Sequence, residues 1–131
     1  MSLPANATDV VRAAMSAVES GDRDGWLGLF AEDAHLEDPV GQPARDGLGA
    51  NAAFWDAGIA ALEAVRFDVR KVHEIAEKTV VLADITVTAP GGASATYDAV
   101  LHYAIGEDGA IRSLRAFWDP QAVMAQLASS A

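Results

Sequence analysis

From Ala64 onward the chain alternates: "AVRFDVRKVHEI", "TVVLADITVTA", "SATYDAVLHYAI" and "AIRSLRAFW" are rich in β-branched and aromatic residues spaced two apart. A period of two describes a strand with one buried face. The connectors "AEK", "PGGA" and "GEDG" are short enough to be hairpins. Strands joined in this way build an antiparallel sheet, whose buried face must find apolar cover. The first half of the chain offers that cover in helical spacing. Asn6 or Thr8 can cap a helix through Val10, Val11, Ala14, Met15 and Val18 that stops at Gly21. Asp22 caps a short second helix carrying Trp26, Leu27, Leu29 and Phe30, and a third runs from Asp46 to about Leu62. Asp119 and Pro120 open a last short helix. The expected fold is α+β: a cone-shaped, curved antiparallel sheet wrapped around three helices from the N-terminal half, one domain over residues 1–131.

With 131 residues, 51% of them hydrophobic, such a chain buries a core without staples. It has no cysteine, which excludes disulfides and thiolate chemistry and fits a cytoplasmic protein. A net charge of −10 speaks against nucleic acid and anionic membrane surfaces as partners. No long apolar run is present to span a bilayer, and "MSLPANATDVVRAAM" lacks the basic stretch and apolar core of a secretion signal. The expected partner is a small hydrophobic molecule in the apolar mouth of the cone.

The segment "HLEDPVGQP" ends a short strand. Ala34, Leu36 and Asp38 share one face of it and His35 and Glu37 the other, so the apolar face carries a carboxylate. An ionised group aimed at the interior is costly unless compensated, and burial raises its pKa toward the range of a general base. Against this stands the habit of aspartate before proline to open turns.

"GDRDGWLGLFAEDAHLEDPVGQPARDGLGANAAFW" and "YDAVLHYAIGEDGAIRSLRAFWDP" resemble the ketosteroid isomerase branch of the nuclear transport factor 2-like (SnoaL-like) superfamily. The resemblance implies that Asp38 is a general base that takes a proton beside a ketone and returns it two carbons away, with no cofactor or metal. It also implies a homodimer. In ketosteroid isomerase a tyrosine and a protonated aspartate hold the enolate oxygen. By the resemblance these positions fall on Ala14 and Leu101, and two supporting tyrosines fall on Phe30 and Trp55. The base is retained and the family's oxyanion hole is missing.

Replacement donors are sought among Tyr97, Tyr103 and Asp84. Tyr97, Leu101 and Tyr103 share the face of their strand that reads as inner. Their hydroxyls could serve a ligand or simply be satisfied within the core. Asp84 alternates with the apolar set Ala83, Ile85 and Val87, which puts it outside, whereas an ungapped alignment to the family puts it in the pocket. Phe30, Phe54, Trp55, Leu101, Leu114 and Trp118, with Ala14, are the expected wall of a flat slot. His35, His73 and His102 lie on separate strands without ligand spacing, so no metal site is expected. Asp68 and Arg70 read as an exposed strand pair. The expectation is therefore a ketosteroid isomerase-like enzyme with an altered oxyanion hole. The alternatives are a non-catalytic binder of a hydrophobic molecule, or another SnoaL-like reaction such as hydration, dehydration or cyclisation.

Overall fold

The computed structural model describes residues 6–130, and turn chemistry decides where its elements start and stop. Helix α1 (Ala7–Ser20) begins at Asn6, whose side-chain oxygen accepts from the Asp9 N–H, and ends at Gly21 with φ 72°. The left-handed conformation there is open to glycine at little cost. Asp22 caps α2 (Arg23–Leu27) by accepting from the Gly25 N–H. The second helix is shorter than expected. Gly25 and Gly28 weaken it, and Phe30 already opens strand β1 (Phe30–Glu37). A two-residue strand β2 (Arg45–Asp46) precedes α3 (Leu48–Ala57). The expected continuous helix to Leu62 breaks at Gly58, and only a single 3-10 turn, Ile59–Ala61, follows.

Strands β3 (Ala64–Ile75), β4 (Lys78–Thr88), β5 (Ser94–Ile105) and β6 (Ile111–Phe117) form the meander that the alternation predicts. The curved, open sheet has the order β2-β1-β6-β5-β4-β3. One expectation is corrected here: β1 pairs with β6 in parallel, so the sheet is mixed. Alternation reports which face a residue takes and says nothing of strand direction. A parallel pair needs a long connection, which α3 and β3–β5 supply.

The core lies between the inner face of the sheet and the helices. Val81, Ala83, Ile85 and Val87 of β4 and Ala95, Ala99, Leu101 and Tyr103 of β5 are buried on that face. Opposite them, α1 buries Val10, Val11, Ala14 and Met15, and α2 buries Trp26. Helix α4 (Pro120–Ser130) starts at Asp119, whose side chain accepts from the N–H groups of Gln121 and Ala122. It then covers the part of β5 that β6 does not reach. There the Gln126 amide accepts from the Thr96 N–H at 3.0 Å and donates to the Thr96 carbonyl at 2.9 Å, standing in for a missing strand. Among the described residues no helix is long and apolar enough to cross a membrane.

Candidate functional site

Between the sheet and the helices lies a cavity of about 350 Å³. Its wall is almost wholly apolar, and Asp38 is the only carboxylate on it among the described residues. The carboxylate arrives there because β1 buries Ala34 and Leu36 on its inner face, and the next inward position is Asp38. A cis peptide bond joins it to Pro39, which also touches the cavity.

Asp38 is half-buried, and the surface it keeps opens on the cavity. The Trp118 indole N–H donates to its Oδ1 at 2.6 Å, and no cation pairs with it among the described residues. Loss of hydration pushes its pKa from 3.8 up to about 6, and the neutral indole pulls back only in part. Oδ2 has no hydrogen-bond partner among the described residues, which leaves it free to take a proton.

Tyr97 and Tyr103 reach the cavity from β5. Burial first, and the nearby Asp38 charge second, raise both phenols above their usual range, so each stays a neutral O–H donor. Neither hydroxyl has a hydrogen-bond partner among the described residues. The Tyr97 ring rests against Trp118, with centroids 5.1 Å apart. A proton acceptor, two unspent donors and an apolar chamber therefore meet in one place. Such a set can take a proton from a carbon acid and stabilise the oxyanion that results.

A family described as the SnoaL-like domain matches the chain over residues 11–114, most of its length. The chain belongs to the SnoaL-like family. Among similar solved structures of this SnoaL-like fold is a Δ5-3-ketosteroid isomerase from Mycobacterium sp., 29% identical, with TM-score 0.81 over 88% of this chain and 95% of that one. A Mycobacterium tuberculosis protein in complex with estradiol-17β-hemisuccinate is 24% identical, with TM-score 0.81 over 88% and 95% of the two chains. An epoxide hydrolase/cyclase-like enzyme of pyran ring formation in the polyether salinomycin is also 24% identical, with TM-score 0.79 over 88% and 92%. At that identity the last two bear on the SnoaL-like fold alone.

Within this SnoaL-like chamber Phe54, Leu101, Leu114 and Trp118 lie on the wall, as expected. Ala14, Phe30 and Trp55 do not. Ala14 is closed into the core of α1 at 1% exposure. Trp26, which the sequence reading left off the wall, takes the place expected of Phe30 and Trp55. They stand behind it, with ring centroids 4.6 and 5.4 Å from its own. Trp55 instead borders a second, polar-edged cleft beside Glu19 and Gly21. Also unforeseen were Met15 and Val18 on α1, Phe67 on β3, and Val123 and Leu127 on α4. The three- and four-residue spacings within α1 and α4 were the available signal for the helical members.

Asp84 is outside the chamber. The β4 ladder keeps strict alternation, so Ala83 and Ile85 face inward and Asp84 faces outward, where Arg70 lies 3.5 Å away. The ungapped alignment that placed it inside fails by one register position. Asp68 pairs with Arg66, whereas Arg70 bonds Asp98, so the expected Asp68–Arg70 pair is not made. The β3–β4 register shifts between Val69 and Lys71, at Arg70 itself. His35 is on the outer face, bonded to Glu37 and Asp46 at 2.7 Å each. Among the described residues no histidine, aspartate and glutamate side chains gather as a metal site would need.

Proposed function

We propose that this chain is a ketosteroid isomerase-like enzyme that moves a proton on a cyclic or polycyclic ketone. The observation that carries the reading is Asp38: a carboxylate on an apolar chamber, raised to about 6, with one oxygen tethered and the other free. Oδ2 takes the proton from the carbon beside the carbonyl as the C–H bond breaks and the electron pair moves onto the ketone oxygen. Tyr103 or Tyr97 donates to that oxygen in place of the family pair absent at Ala14 and Leu101. Protonated Asp38 then returns the proton two carbons along, so the double bond shifts with no net change of oxidation state. The Trp118 N–H holds the carboxylate in position through both steps.

The test is conversion of a β,γ-unsaturated steroid ketone to its conjugated enone, followed by ultraviolet absorbance, for wild type and Asp38→Asn. Turnover lost in a folded variant supports the reading, and turnover retained removes Asp38 from the mechanism. A second reading, a non-catalytic binder of hydrophobic molecules, is favoured by the leucine at position 101, which leaves the wall more apolar than an isomerase needs. Steroid binding without turnover, insensitive to Asp38→Asn, would select it.

A further inference from the structure

Helix α4 is held to the rest of the molecule differently from α1. The first helix buries Val10, Val11, Ala14, Met15 and Ala17 in the core, whereas α4 buries Val123 alone among its described residues. It packs chiefly on β5, over the stretch that β6 leaves open. The β5–β6 ladder starts at Val100, so the edge from Ser94 to Ala99 has no strand beside it. Side chains of α4 take that place. The Ser130 hydroxyl oxygen accepts from the Ser94 N–H at 3.1 Å, and the Gln126 amide holds both backbone groups of Thr96. All of these bonds join exposed groups, where water replaces a lost partner at little cost.

The other end of the helix is firm. Trp118 donates to Asp38 at 2.6 Å and rests on the Tyr97 ring, and only Asp119 separates it from Pro120, where α4 begins. The helix is therefore a short lever, pinned at Trp118, able to turn at Asp119 and tied along its far half by surface bonds. Its inner side places Val123, Met124 and Leu127 on the chamber wall, and Met124 is 64% exposed. A wall tied in this way can swing as one unit without breaking any strand ladder.

We propose that α4 is a hinged cover over the chamber, latched by the Gln126–Thr96 pair, and that apolar ligands enter and leave when the latch opens. Opening gives up the surface bonds and the contacts of Val123 and Leu127, while Trp118 stays on Asp38. The cover acts on entry, not on proton transfer, so it holds whether or not the chain turns over a ketone.

The chain has no cysteine, so one disulfide can be introduced without rivals. Ser94→Cys combined with Ser130→Cys ties the far end of α4 to β5 where a 3.1 Å bond now joins them. Uptake of Nile red, a neutral apolar dye, is followed by stopped-flow fluorescence. With the bridge oxidised, association should slow by about tenfold or more, and reduction should restore it. Gln126→Ala, without the bridge, should raise the association and dissociation rates together, about three- to tenfold, and leave Kd unchanged, because the latch is closed in the free and bound forms alike. A helix that serves only as a wall behaves otherwise: dissociation alone quickens, and Kd rises with it. Equal uptake by the oxidised and reduced forms, or a rise in dissociation alone, would overturn the hinged cover. So would a bridge that does not form on oxidation, or a wild type that takes up no dye.

Discussion

Burial raises the Asp38 carboxyl from 3.8 to about 6, so between those values the folded chain holds a proton that the unfolded chain has released. Stability from this group is therefore full below about pH 4 and falls as the pH rises through about 6. Asp38→Asn keeps the shape and removes the charge. It should gain about 1–3 kcal/mol in urea unfolding at neutral pH, with the gain vanishing below about pH 4. An unchanged midpoint at neutral pH would mean that the carboxylate is better hydrated than its position implies. Activity has the opposite slope: kcat/KM should rise with pH through about 6 and then level off. The Trp118 N–H is what lowers this value. Trp118→Phe should move the midpoint of the profile upward, and a downward move would deny the bond its role. Asp38 was legible in the sequence because a two-residue alternation carries a carboxylate onto an apolar face. Trp26 was not, since its place on the wall depends on the angle at which a five-residue helix meets the sheet. No periodicity encodes that angle.

Among the elements, α4 has the least expected role. Its side chains close one wall of the chamber, and Gln126 satisfies two backbone groups of β5 that no strand reaches. Gln126→Ala should therefore cost about 1–2 kcal/mol of stability, and the Thr96 amide should exchange with solvent faster than its neighbours in β5. Exchange at Thr96 unchanged in the variant would show that the helix is held by its apolar contacts alone. In the core, Leu36 has 0% exposure. Leu36→Ala should cost about 2–5 kcal/mol by chemical denaturation. The hairpins of β3 to β6 were readable because their connectors are short and their strands alternate without interruption. The end of α2 was not. Leu29 and Phe30 fit a helical stripe as well as the start of a strand, and the two glycines in that stretch decided the matter. For Asp84 two placements competed because a one-residue slip exchanges the faces of a strand. The unbroken β4–β5 ladder resolves that competition.

For the molecule as a whole, acid and base effects add up. His35 is raised above 6.5, chiefly by its bond to Glu37 and then by its bond to Asp46. Its contribution is full below about pH 6.5 and is lost as the pH climbs through the folded value, the same direction as Asp38. Glu37 is lowered by His35 and Arg115, so its share is present above 4.5 and disappears only on further acidification. A net charge of −10 adds self-repulsion that weakens as carboxylates and histidines take up protons. Thermal unfolding should thus give a higher Tm near pH 5.5 than near pH 8, and the reverse order would contradict this account. The family and α+β class were legible because the "EDPVG" segment and the strand pattern survive in order along the chain. The parallel join of β1 to β6 was hidden, because no local pattern reports which distant strand a segment will meet. That join has a consequence for the order in which the protein is made. Asp38 and Trp118 stand 80 residues apart and meet only where β1 and β6 lie side by side. A chain growing from the ribosome completes α1 to α3 and strands β3 to β5 while the acid still lacks its indole. The reactive centre is thus among the last features to be assembled, and a chain stopped before β6 would carry the base with nothing to hold it.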